Sequence, residues 1–320
     1  MQLDFRVVTD SPSSSQLENI FATYWPAYQK WMQRSSVDDG QHGRLQLHRH
    51  MPELIKLYDH LHERFGGTIE VQRFLSMYNP PPVVRACTQL VLSDDTGPIL
   101  LRSYDHHPNL FDRLVLNSEW SGTSTLAMSD CLWGALDGIN EHGLAIALAF
   151  GGRQACGDGF SASLICRYVI QTCKTVTEAK SALKRLPVYM PYTFVVVDAS
   201  GDFITAFMGP DRPARFVARR ASANQQGAVE WPAYAQFVES EARLRCAESL
   251  LESTQTIDSA RRAFLVPPVW RGNYAKASGT LYVAEYSAAT RSLRLHWPTQ
   301  SEQFSISNTR DRYFSVQLAD

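Results

Sequence analysis

Hydrophobic and polar positions change period several times along the chain. The segment "MPELIKLYDHLHERFGG" spaces Leu54, Leu57 and Leu61 by three and four, which is one face of a helix over 51–66 that stops at a glycine pair. A second helix is read over 15–35, and the polar "SSVDDGQHGR" between the two is read as a loop. The connector "YNPPPVVRA" (78–86) is extended and stiff, because consecutive prolines forbid helix. The pattern then turns to short apolar runs: "CTQLVL", "PILLRSY", "RLVLNS", "TSTLAMS" and "GLAIALAF", all expected strands. Turn signals separate them, and "DGINEHG" is read as a tight turn before the last. Helical periodicity returns in "SASLICRYVIQTC" and in "TVTEAKSALKRL", where Thr175 and Glu178 stand in capping-box spacing. Strands "TFVVVD" and "DFITAFM", one amphipathic helix at about 233–252, and a hairpin of "GTLYVAEY" with "RSLRLHWP" complete the reading. Hairpins segregated from helices predict α+β layers, not alternating βαβ units.

Composition changes this picture little. Of 320 residues, 44% are hydrophobic and 20% charged, as in ordinary soluble globules. A formal net charge of -1 provides no field for nucleic acid or an anionic membrane. Neither is expected as a partner. No apolar run approaches a membrane span, and the start "MQLDFRVVTDSPSSS" lacks the apolar core of a secretory signal, so the expected compartment is the cytoplasm. The six cysteines have no CxxC spacing and are read as free thiols.

One of those cysteines stands out. With Asp94–Gly97 as the loop of the first hairpin, Ser93 pairs with Pro98, Cys87 lies opposite Tyr104, and Gln89 lies opposite Arg102. Cys87, Gln89, Arg102 and Tyr104 then share a face, and Arg102 is the diagonal neighbour of Cys87. A loop one residue longer or shorter breaks this register. Asp105 faces away unless the strand ends at "DHHP". The spacing therefore permits a Cys–Arg–Asp cluster, and equally a core cysteine beside a structural salt bridge. As a nucleophile Cys87 would gain thiolate character from Arg102. Its base could be its own α-amine, with a pKa near 7.7–8.0, if the chain were cut before it.

At these residues the chain resembles the acyl-coenzyme A:6-aminopenicillanic acid acyltransferase-like family of N-terminal-nucleophile cysteine hydrolases, with penicillin V acylases and bile salt hydrolases as more distant relatives. "PPPVVRACTQ", "LLRSYDHHPNLFD", "DCLWGALDGINEHGLAIALAFGGR", "RYVIQTCKTVTEAKSALKRLPVYMPY" and "SANQQGAVEWPAYA" carry the resemblance, which runs over roughly residues 50–300. It implies a four-layer αββα sandwich and a precursor that cuts its own Ala86–Cys87 bond. Piece 1–86 would stay docked as an α chain on the catalytic β chain 87–320. By motif match Cys87 is the nucleophile, Arg102 and Asp105 are the arginine and aspartate of "R-x-x-D", and Asn224 is the oxyanion-hole asparagine. The implied substrate is a linear amide of a small molecule or peptide, with no cofactor and no metal. A homo-oligomer is compatible with it. The chain departs from the family at "ANQQ", where Ala223 and Gln225 replace a threonine and a histidine. Thr193 and Ala149 stand where asparagines are expected.

Other residues give weaker signals. Tyr104, His106 and Arg271 are candidate substrate contacts, Arg271 being equally an ordinary surface arginine. His106 and His107 point to opposite faces of a strand and so cannot readily share a metal ion. His48, His50, His60 and His62 do not converge on a helix. Two alternatives to the self-cutting enzyme remain: a catalytically idle binding protein of the same fold, and a cysteine peptidase with a distant histidine base such as His142 and no self-cleavage.

Overall fold

The computed structural model describes residues 1–11, 14–34, 40–252, 256–276 and 278–318. The chain opens with β1 (Gln2–Asp10) and runs through α1 (Gln16–Met32), α2 (Gln41–His50), α3 (Ile55–Arg64) and α4 (Ile69–Ser76). Next come the hairpin β2 (Ala86–Asp94) and β3 (Gly97–His106), then β4 (Leu114–Trp120), β5 (Thr123–Asp130), β6 (Gly134–Asn140) and β7 (Ala145–Phe150). Two helices, α5 (Ala162–Thr172) and α6 (Val176–Arg185), precede β8 (Tyr192–Val197), β9 (Phe203–Gly209), β10 (Arg212–Val217) and β11 (Ala221–Ser222). The remainder is α7 (Pro232–Phe237), α8 (Ser240–Glu252), α9 (Ile257–Phe264), β12 (Gly279–Ser287), β13 (Ser292–Trp297), β14 (Gln300–Ser305) and β15 (Arg312–Gln317).

The strands form two sheets. A nine-stranded sheet has the order β10-β9-β8-β7-β6-β5-β4-β1-β15, and a six-stranded sheet has β11-β2-β3-β12-β13-β14. Neighbours are antiparallel except β1 with β4. Alternation in β7 explains the layering. Ile146, Leu148 and Phe150 point into a core shared with α1 through α6, while Ala145, Ala147 and Ala149 point toward the other sheet. Small residues on the inner face let the sheets approach closely. The second core continues through the six-stranded sheet to α8 and α9. The result is the four-layer αββα sandwich that the resemblance implies.

Several local expectations need correction. Of the expected loop, 35–39 lie outside the described residues, and 41–44 already belong to α2. The expected tight turn at "DGIN" is the second half of β6, buried on both faces; only the residues after it turn. The single helix at about 233–252 is two, because Glu239 takes φ +54 and breaks the axis between α7 and α8. The hairpin expectation holds: Ser93↔Pro98, Gln89↔Arg102 and Cys87↔Tyr104 are the observed pairs.

Candidate active site

Cys87 lies at the head of β2 and is wholly buried between the sheets. The hairpin register brings Arg102 Nη2 to 3.2 Å from Cys87 Sγ. Arg102 is itself held from several sides. Nη1 donates to Tyr282 Oη at 2.7 Å and to Asp137 Oδ2, and Nη2 also donates to the Leu148 carbonyl at 3.3 Å. The guanidinium lies over the Tyr104 ring, 4.4 Å from its centroid. Asp137 comes from β6 in the facing sheet and also accepts from Tyr282 and Tyr286. A fully buried cation needs such a partner. Burial pushes the Cys87 thiol above its usual value, and Arg102 opposes this without cancelling it.

Asn224 is placed by β11. That strand pairs Ala221↔Leu90 and Ser222↔Gln89, so the same register two residues on sets Asn224 opposite Cys87. Asn224 Oδ1 accepts from the Cys87 N–H at 2.9 Å and from Arg243 Nη2 at 2.6 Å. Asn224 Nδ2 donates to the Phe150 carbonyl at 2.9 Å and to the Arg85 carbonyl at 3.4 Å. Gly152 runs against this segment with φ +70, and a Cβ there would stand 2.1 Å from the Asn224 carbonyl oxygen. Only glycine fits. The departing residues of "ANQQ" serve the scaffold: Ala223 is buried and Gln225 Oε1 accepts from Ser240 Oγ at 3.1 Å, while the matching Gln226 donates through Nε2 to the Tyr192 and Met208 carbonyls at 2.9 Å.

Asp105 is not beside the thiol. β3 continues through His106, so alternation turns Asp105 to the helix side of the sheet. There it accepts from Thr280 Oγ1 at 2.8 Å and faces Arg243 at 3.6 Å and Arg271 at 4.0 Å. Its Oδ2 has no hydrogen-bond partner among the described residues. Arg271 is no surface arginine: it is buried, bonded to Ser278 Oγ and the Phe237 carbonyl, on the face turned from the Cys87 thiol. Tyr104 sits opposite Cys87 as expected. His106 is buried, and desolvation, with help from Arg85, lowers its pKa to about 3, so it is a neutral ring. His142 lies in the turn between β6 and β7, where Gly143 abuts the Ala288 carbonyl at the hairpin-loop end of β12. Cys87 is at the opposite end of β2, six residues or about 20 Å away, which rules His142 out as its base.

The connector before Cys87 is anchored at several points. Tyr192 Oη donates to the Val83 carbonyl at 3.2 Å, Tyr234 Oη to the Arg85 carbonyl at 2.5 Å, and the Arg85 guanidinium pairs with Asp130 at 2.9 Å. A cleft of about 1090 Å³ ends against this connector, walled by Tyr24, Tyr28 and Trp31 of α1, with His106 and Phe111 opposite. Sequence reasoning missed Asp137, Tyr282, Arg243 and Tyr234. Asp137 and Tyr282 hold Arg102, Arg243 holds Asn224, and Tyr234 holds the connector before Cys87.

A family model described as acyl-coenzyme A:6-aminopenicillanic acid acyl-transferase matches residues 92–302, a stretch containing Arg102, Asp105 and Asn224 and beginning just after Cys87. No curated protein sequence matches. Among solved structures, a mutant conjugated bile acid hydrolase from Clostridium perfringens is similar at 12% identity, covering 72% of this chain and 97% of that one with a TM-score of 0.50. Penicillin V acylase from Agrobacterium tumefaciens is similar at 15% identity, covering 71% and 90%, with a TM-score of 0.48. The Caenorhabditis elegans ortholog of N-acylethanolamine-hydrolyzing acid amidase is similar at 14% identity, covering 63% and 93%, with a TM-score of 0.49.

Proposed function

Since the chain belongs to the acyl-coenzyme A:6-aminopenicillanic acid acyl-transferase family, we propose that it is a self-cutting cysteine enzyme that hydrolyses or transfers the acyl group of a linear amide. The observation that carries this reading is the Arg102 guanidinium 3.2 Å from a strand-head thiol whose own backbone N–H is held by Asn224.

In the first step Cys87 Sγ attacks the Ala86 carbonyl carbon. The C–N bond breaks, the nitrogen takes the thiol proton, and a thioester forms. Water then releases Ala86 as a carboxylate and regenerates the thiol. The freed α-amine lies where the Cys87 N–H lies now, against Asn224 Oδ1. In turnover that amine accepts the thiol proton, and the thiolate attacks the substrate carbonyl. The proton goes to the departing amine, and water or an acceptor amine resolves the thioester. Arg102 favours the thiolate, and Asn224 orients the amine through Oδ1 while offering Nδ2 to the oxyanion. Asp105 offsets the charge of Arg243 and Arg271 beneath the site.

The test is the intact mass of freshly purified wild type beside Cys87→Ala. A cut before Cys87 divides 36.0 kDa by chain length into roughly 10 and 26 kDa. Wild type is expected to show both pieces and the variant to stay whole. A wild type that stays whole under every condition of pH would return the idle binding protein to first place.

A further inference from the structure

Resting on the reading of Cys87 as nucleophile, we propose that Tyr234 is a further catalytic residue, whose phenol is the second donor to the acyl oxygen beside the Asn224 amide.

In the uncut chain one oxygen, the Arg85 carbonyl, accepts from Tyr234 Oη at 2.5 Å and from Asn224 Nδ2 at 3.4 Å. Both side chains are buried. The amide cannot turn over. Its Oδ1 is fixed by the Arg243 guanidinium and the Cys87 N–H, which are donors only, so Nδ2 must face the Arg85 and Phe150 carbonyls. Tyr234 is equally fixed. Pro232 starts α7, the Trp231 ring stacks on the phenol ring at 5.2 Å, and the Phe150 ring meets it edge-on at 5.2 Å. Burial also pushes the phenol well above its usual pKa, which keeps its proton for donation.

The cut falls one residue beyond Arg85. When the new chain end withdraws, the Arg85 oxygen leaves and two aligned donors remain aimed at one spot. That spot adjoins the nucleophile, because the same Asn224 head group touches the Cys87 nitrogen. A substrate carbonyl there would have its oxygen between Tyr234 and Asn224 and its carbon toward Cys87 Sγ. As the C–S bond forms, the carbonyl π pair moves to that oxygen, and the two donors receive the charge. The amine then leaves with the proton held by the Cys87 α-ammonium. Tyr234 reaches the site from α7 and supplies a second side-chain donor.

The experiment is Tyr234→Phe in the full chain, assayed on a series of N-acyl 4-nitroanilides of graded acyl length. Activity is normalised to the cut fraction measured by intact mass. The variant is expected to cut, and its kcat to fall roughly 100-fold with KM changed by less than about three-fold. A kcat within about three-fold of wild type overturns the proposal. So does a variant that stays whole, which would assign Tyr234 to cutting alone. A Cys87→Ala protein that still turns over the anilides instead removes the parent reading, and this proposal with it.

Discussion

Asp137 reaches out of the nine-stranded sheet to hold an arginine that belongs to the other sheet, and it is the only carboxylate bonded to the Arg102 guanidinium among the described residues. Removing it leaves a cation in the interior with one tyrosine hydroxyl, that of Tyr282, and the Leu148 carbonyl as its oxygen partners among the described residues. We expect Asp137→Ala to lower stability by about 3–5 kcal/mol, measured by urea unfolding in a Cys87→Ala background so that cutting does not intervene. A change under about 1 kcal/mol would mean that Tyr282 and the Leu148 carbonyl suffice. The pairing of Cys87 with Arg102 was legible because a two-residue turn fixes the register of one hairpin, and alternation does the rest. Asp137 was not, since Asp-Gly reads locally as a turn and its partner comes from another sheet. Arg243 left a visible sign: it shares the stripe Arg243, Ala247, Leu250, spaced by four and three, and is the charged member of a buried helix face. Asp105 was misleading for the opposite reason, because the strand that carries it runs one residue further than the following "HHP" suggests.

At the scale of elements, the docking of α1 carries a pH signature. Tyr28 donates to Asp112 Oδ1, and Tyr24 donates to the Asp112 carbonyl at 3.1 Å. Burial, helped by the nearby Asp130 charge, raises the Asp112 carboxyl from 3.8 to about 6. The native state thus holds this proton more tightly than the unfolded chain. Its stabilising contribution is complete below the unfolded value and is lost as pH rises through about 6. Melting temperature should therefore fall between pH 4 and 6 by an increment that Asp112→Asn abolishes; an unchanged slope in the variant would exclude Asp112 as the source. The helices with clear stripes and caps were readable, such as α6, where Thr175 Oγ1 accepts from the Glu178 N–H. α2 was not: only Gly43 and Leu47 are buried, and its packing on α4 decides its state. β1 alternates Leu3, Phe5 and Val7 inward, a period-2 signal present in the sequence but overlooked at the terminus. β14 and β15 are largely exposed and stay in place by pairing and by one buried side chain each, Phe304 and Val316.

For the whole molecule, the decisive feature is where the first strand goes. β1 lies inside the nine-stranded sheet, parallel to β4 on one side and antiparallel to β15 on the other. The proposed cut would therefore leave a strand of one piece threaded between two strands of the other. The expected outcome is a cut protein that stays associated through gel filtration. After full denaturation and dilution it regains little activity, whereas uncut Cys87→Ala refolds to its native spectrum. Ready recovery from separated pieces would show that strand insertion needs no covalent tether. Such a molecule has hysteresis. Joined, the chain finds its sheet as an intramolecular search; once divided, the same two polypeptides face a bimolecular one, with an exposed sheet edge open to wrong partners. Two samples of identical composition would then differ by history alone. The one that was born whole would work, and the one mixed from its parts would not.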